Sequence, residues 1–188
     1  ALSDYQAASE LDPKNAAYHL QIGNIHRTLN DNPAALEAFN AAVALDPKSV
    51  SAYTGRARVQ ETLGNLDRAI SDYTRAIELE PSNTSTLVGR GNTFLAMNKL
   101  NQAVEDFSHA LELDPSLTTA YIGRASARQA LGDLDAALAD LDRAIETSPD
   151  SPSTYALRSR INETLGDLEA ALADTTRAID LDDASATA

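Results

Sequence analysis

Proline recurs at Pro13, Pro47, Pro81, Pro115 and Pro149, each 34 residues after the one before. Two alanine columns keep the same step: Ala35, Ala69, Ala103, Ala137 and Ala171, and Ala8, Ala42, Ala76, Ala110, Ala144 and Ala178. A bulky column runs in phase with them through Tyr5, Phe39, Tyr73, Phe107 and Leu141. A period of this length constrains the fold more than any other feature. One such unit cannot bury its apolar face alone, so like units must stack and share a continuous core.

Each unit reads as two helices. In the second, Tyr53 to Leu63 carries helix-forming residues and closes at Gly64, a C-cap signal. Leu66, Ala69, Ile70, Tyr73, Ala76 and Ile77 then recur at three- and four-residue steps, which marks one face of an amphipathic helix. That helix is expected to stop at Glu80-Pro81, because proline disfavours helical geometry in the residue before it. Full units are expected at 16–49, 50–83, 84–117, 118–151 and 152–185, with 1–15 the second helix of a truncated unit, all within one domain. Residues Thr175, Thr176 and Asp183 depart from the pattern, so the last unit is expected to turn a polar outer face to water and to be a natural edge, whereas the first residues read as a cut.

The unit Ala52-Tyr53 … Leu63-Gly64-Asn65-Leu66-Asp67 … Ala69-Ile70 … Tyr73 … Ala76 … Leu79-Glu80-Pro81 resembles the tetratricopeptide repeat, and the resemblance covers essentially the whole chain. It implies an all-α fold, a right-handed α-solenoid (superhelix) of antiparallel helix pairs with a concave groove lined by the first helices. The family's second aromatic column reads His26, Gln60, Phe94, Arg128 and Asn162 here, so only Phe94 matches and looser or wetter packing is expected. Family members that clamp a chaperone's C-terminal carboxylate use lysine, asparagine and arginine at set places. Asn24 matches one of them, but Leu20, Gly55, Ser85 and Gly89 replace the others, so that clamp is absent.

Charge and composition exclude other classes. The chain has a net charge of −13, which opposes nucleic-acid binding and anionic membrane surfaces. It has no apolar run long enough for membrane insertion. Cysteine is absent, which removes disulfides, thiolate metal sites and a cysteine nucleophile. His19, His26 and His109 show no zinc-site spacing, and no nucleophile–base set can be drawn, so neither catalysis nor a cofactor is expected.

Four arginines share a column (Arg56, Arg90, Arg124, Arg158), as do four aspartates (Asp72, Asp106, Asp140, Asp174), and the first unit lacks both. An ion pair joining the two helices of a unit accounts for this most simply. Two other readings stay open: arginines facing a ligand, and contacts along one helix from each Asp to the basic column three residues on (Arg75, His109, Arg143, Arg177). Gly55, Gly89 and Gly123 lie inside first helices, where each costs about 1 kcal/mol relative to alanine. Tight packing between successive inner helices, or a smooth strip for a partner's backbone, would each explain them.

First helices carry Arg27, Arg56, Arg58, Arg90, Arg124, Arg128, Arg158 and Arg160 against Glu61 and Glu163, a balance of +6 that falls to +2 without the column arginines. The inward stripe yields Asn24, Arg27, Arg58, Glu61, Asn92, Leu95, Ser126, Gln129 and Arg160 as candidate groove residues. The expected function is a non-catalytic protein–protein interaction scaffold that binds a peptide segment of a partner, with an acidic stretch or a free carboxylate. Two alternatives remain. One is self-assembly through open solenoid ends, with a homo-oligomer formed at the N-terminal edge, where Leu2, Tyr5 and Ala8 need a neighbour. The other is a recruitment module of a larger protein.

Overall fold

A computed structural model describes residues 2–186, with side chains as far as residue 183. Eleven helices follow one another among the described residues: α1 (Leu2–Leu11), α2 (Ala16–Thr28), α3 (Asn32–Leu45), α4 (Val50–Thr62), α5 (Leu66–Leu79), α6 (Thr84–Ala96), α7 (Leu100–Leu113), α8 (Thr118–Leu131), α9 (Leu134–Thr147), α10 (Pro152–Leu165) and α11 (Leu168–Ala186). The expected helix boundaries hold. Residues Asp46, Glu80, Asp114 and Ser148 each precede a proline, and each leaves helical geometry, with φ of −130° to −146° and ψ of 83° to 97°. Between the two helices of a unit the chain turns through one left-handed residue, which falls at Asn30, Gly64, Asn98, Gly132 and Gly166. Glycine and asparagine are the residues that adopt this conformation at least cost.

The chain divides into two compact units, Ala1–Thr93 and Phe94–Ala188. In the first, α1 packs on α2, and the pairs α2/α3 and α4/α5 join through α3 against α4. Its core is Ala35, Phe39 and Val59 with Leu20 and Leu36 on its flanks, continued by Ala57, Ala69 and Tyr73. In the second unit α7 packs on α8, α8 on α9, α9 on α10 and α10 on α11. Its core holds Ala125, Ala137, Leu141 and Ile161, with Leu134, Leu138 and Leu157 packed around them.

Both alanine columns are sealed at Ala35, Ala42, Ala69, Ala76, Ala103, Ala110, Ala137 and Ala144, and so are Phe39, Tyr73, Phe107 and Leu141 of the bulky column. Small residues let the helices of a pair approach, while each large one contributes about 1.5–3 kcal/mol by burial. The glycines belong to the same packing. A Cβ at Gly55 would lie 2.5 Å from the Phe39 ring, at Gly89 2.7 Å from Tyr73, and at Gly123 2.4 Å from Phe107. The ring of a second helix therefore lies on the glycine of the next first helix. This is packing, as one of the two readings has it, but the partner is an aromatic ring and not the neighbouring inner helix.

The last helix departs from expectation. Thr175 and Thr176 are exposed, as a polar outer face requires, but Leu168, Leu172 and Ile179 are 69%, 70% and 55% exposed beside them.

No helix among the described residues is long and apolar enough to cross a membrane.

Candidate functional site

The arginine column is a frame. Arg56 donates from Nε and Nη2 to the two carboxylate oxygens of Asp72 at 2.8 and 2.7 Å. Arg124 holds Asp140 in the same way at 3.0 and 2.7 Å, and Arg158 holds Asp174 at 2.9 and 2.6 Å. Bidentate pairing of this kind is strong and directional. The remaining Nη1 reaches back to a polar residue on the preceding unit's second helix. Arg56 donates to Asn40, Arg90 to Thr74, Arg124 to Ser108 and Arg158 to Asp142, over 2.6–3.0 Å. Arg56, Arg124 and Arg158 thus each tie their own helix pair together and tie that pair to the helix before. Arg56, Arg124 and Arg158 also stand over the rings of Tyr53, Tyr121 and Tyr155, about one helical turn away. The Asp72 and Asp174 carboxylates, with desolvation opposing them, raise the pKa values of Arg56 and Arg158 above the usual guanidinium value. The contact along one helix does not form in these units. Arg75 pairs instead with Glu78 at 2.9 Å, and Arg143 with Glu146.

Three members of the polar second column are hydrogen-bonded. Gln60 accepts from Asn65 at 3.0 Å, whereas His26 Nδ1 stands 3.3 Å from Asp31 Oδ2 without making a hydrogen bond. Arg128 joins Arg124 on Asp140 at 2.8 Å, and Asn162 donates to Asp174 at 3.3 Å. Side-chain partners from the same helix pair thus stand at Gln60, Arg128 and Asn162 where the family has an aromatic.

Within the first unit a hollow of about 300 Å³ opens between α2, the N-terminal part of α4 and the start of α6. Asn24, Arg27 and Arg58 line it, three of the residues expected to face a groove, together with Ser51, Thr54 and Ser85. Arg58 donates to the Ser85 hydroxyl at 3.1 Å, and the Thr54 and Thr86 hydroxyls lie 3.3 Å apart. Arg27 is half-buried, and its Nε is fully buried without a hydrogen-bond partner. Among the described residues neither Arg27 nor Arg58 is paired with a carboxylate.

Glu61, one helical turn beyond Arg58, behaves differently from expectation. Its carboxylate accepts from the Tyr73 hydroxyl at 2.7 Å and from the Thr93 hydroxyl at 2.6 Å, so it braces the wall and is not free to meet a ligand. Burial, and next the Glu61 carboxylate, push the Tyr73 hydroxyl well above the ordinary tyrosine pKa.

The other candidates are not gathered here. Asn92 is exposed on α6, while Leu95, Ser126 and Gln129 belong to the second unit, where the Ser126 hydroxyl is spent on Ile122 O of its own helix. Arg160 lines a separate hollow of that unit, between α10 and α11, with Ser159, Glu163, Thr175 and Ile179. Ser51, Thr54 and Ser85 join the lining without being among the candidate groove residues. The signal for Ser51 is its position two turns before Arg58 on one face of α4.

A family model described as tetratricopeptide repeat matches residues 1–50, 20–84, 88–152 and 122–186. Comparison with curated proteins returns no match. Among solved structures, MamA from Desulfovibrio magneticus RS-1 (residues 41 to the end) superposes with a TM-score of 0.84 at 15% identity, over 90% of this chain and 96% of that one. YrrB, described as a TPR protein with an unusual peptide-binding site, gives 0.79 at 21% identity over 96% and 93%. A tetratricopeptide repeat protein from Parabacteroides merdae gives 0.80 at 24% over 93% and 69%. At these identities the structures speak for the fold, which is the all-α solenoid of antiparallel helix pairs. With helix pairs at a 34-residue step, aromatic and alanine columns sealed in the core, and family matches along nearly its whole length, the chain belongs to the tetratricopeptide repeat family.

Proposed function

We propose that this chain is a non-catalytic scaffold that holds an acidic peptide segment of a partner protein along its first helices, seated at the hollow between α2, α4 and α6. The observation that carries the reading is the pair of guanidiniums, Arg27 and Arg58, that line this hollow without a carboxylate, whereas the frame arginines each have one. The family's members are generally interaction modules, and YrrB is described as binding peptide. The test is a peptide array probed with the wild-type chain and with an Arg58→Glu/Arg160→Glu variant. Loss of acidic-peptide capture by the variant supports the groove. Unchanged capture overturns it.

Self-assembly is a second reading, favoured by the exposed Leu168, Leu172 and Ile179 of α11. Light scattering over a concentration series separates the two, since a chain that stays monomeric throughout rules out assembly.

A further inference from the structure

Three first helices surround the hollow of the first unit, and together they are strongly one-sided in charge. Over α2, α4 and residues 84–93 the basic residues Arg27, Arg56, Arg58 and Arg90 face a single acid, Glu61. Both carboxylate oxygens of Glu61 are taken, by the hydroxyls of Tyr73 and Thr93. Arg56 is neutralised by Asp72, and Arg90 is engaged with Thr74. Arg27 and Arg58 thus line the hollow as two guanidiniums without a carboxylate partner, with the Glu61 charge held by hydroxyls of the wall.

In the frame, Asp72 and Asp174 each take one guanidinium through two nearly parallel hydrogen bonds, and Asp140 takes a second, Arg128, beside Arg124. Two guanidiniums without a carboxylate partner on one hollow suit a group that offers more than one negative oxygen. Ser51 and Ser85 add hydroxyls and Asn24 an amide to the lining, while the Thr54 hydroxyl donates to Thr86, whose own proton goes to Asn83. Ser51 and Ser85 stand in the first turns of α4 and α6, where the helix dipole favours an anion. At about 300 Å³ the hollow has the volume of roughly ten liquid waters. That admits a tetrahedral group and its bridging waters.

We infer that this hollow takes a phosphoryl dianion on a side chain of the bound segment, so that phosphorylation of the partner switches its capture. The inference rests on the peptide-binding reading and adds the ligand's chemistry to it. A phosphorylated side chain brings close to two charges and three acceptor oxygens, and two arginines answer that pattern.

The experiment uses three synthetic heptapeptides that differ only at the centre, which is phosphoserine, glutamate or serine. Binding to the full chain is followed through the backbone amides of Ser51, Thr54 and Ser85 by NMR and through fluorescence anisotropy. The phosphoserine peptide is expected to bind at least about tenfold more tightly than the glutamate peptide, as two charge-assisted contacts require in place of one. Arg27→Gln and Arg58→Gln should each remove that preference while leaving the helical circular dichroism unchanged. Inorganic phosphate should displace the phosphopeptide more effectively than acetate does. Equal binding of the phosphoserine and glutamate peptides, with both lost in Arg58→Gln, overturns the phosphoryl assignment and leaves the acidic groove standing. Should an arginine variant fail to fold, the wild-type ranking of the three peptides and of phosphate against acetate decides alone. No binding by any peptide and no shift at those amides removes both.

Discussion

The ring-on-glycine contact predicts a specific non-additivity. Gly123 takes the Phe107 ring so closely that an added Cβ would sit 2.4 Å from Cζ, far inside van der Waals contact. Alanine would bring about 1 kcal/mol of helix propensity at this position. Overpacking a close-fitted core costs about 1–3 kcal/mol, so Gly123→Ala should be destabilising on balance. Gly123→Leu should cost about 3 kcal/mol or more, because three further carbons must displace a ring with nowhere to go. The same chain contains the compensated version one repeat later, where the bulky column holds Leu141 and the glycine place holds Leu157, and the two pack in one cluster. Phe107→Leu alone leaves a gap over Gly123 and should cost about 1–2 kcal/mol. The Gly123→Leu/Phe107→Leu double variant recreates the Leu141–Leu157 arrangement and should recover to within about 1 kcal/mol of wild type. Urea unfolding followed by circular dichroism measures the global change. Native-state hydrogen exchange at α8 measures the local one, which matters because coupling between repeats is nearest-neighbour in character. Additive single costs in the double variant, or a Gly123→Leu chain as stable as wild type, would refute the steric account.

The frame pair Arg56–Asp72 should behave asymmetrically. Arg56→Leu leaves the Asp72 carboxylate only 10% exposed and should cost about 2–3 kcal/mol, Asp72→Leu leaves a hydrated guanidinium still bonded to Asn40 and should cost about 1–2, and the double leucine variant should cost about 1 or less; a larger loss for Asp72→Leu in the same unfolding assay counts against this. Tyr73 gives a pH signature. Its raised pKa keeps the proton in the folded chain after the unfolded chain has released it, so its contribution is complete below about pH 10 and falls by up to about 1.4 kcal/mol per pH unit above that. Urea titrations at pH 9, 10 and 11 should show a shallower alkaline loss in Tyr73→Phe, and parallel curves would disprove the link.

The fold was legible because its signals are columns. Proline, alanine, aromatic and turn positions recur in phase, and each column has one physical task, so the helix boundaries followed from spacing alone. Arg and Asp standing sixteen residues apart, and missing together from the first unit, gave away the ion pair for the same reason. Less legible were contacts whose partner shifts from repeat to repeat. In the polar second column Gln60 finds its partner five residues on, in the turn, whereas Arg128 and Asn162 find theirs twelve residues on, in the next helix. Glu61 belonged by periodicity to the inward stripe, and only the placement of Tyr73 and Thr93 shows that its carboxylate is already used. The glycine contacts were readable in principle. Phe39, Tyr73 and Phe107 are each followed sixteen residues later by glycine, and Leu141 by leucine.

Pairing state, more than position, separates the arginines that build this molecule from those left for a partner. By sequence the first helices carry a balance of +6, and setting aside the four column arginines reduces it to +2, a preference spread thinly along the chain. The structure sharpens this in both directions. Arg128 leaves the count of available charges, because it shares Asp140 with Arg124. Arg27, Arg58 and Arg160 stay in it, having no carboxylate partner among the described residues, and two of the three converge on one hollow. A scaffold whose stability rests on arginine–aspartate frames can vary its unpaired arginines without touching the core, since none of them ties one helix to the next through a carboxylate. Recognition and folding are thus assigned to different members of one residue type, and substitutions at Arg27 or Arg58 should register in binding while those at Arg56, Arg124 or Arg158 register in stability.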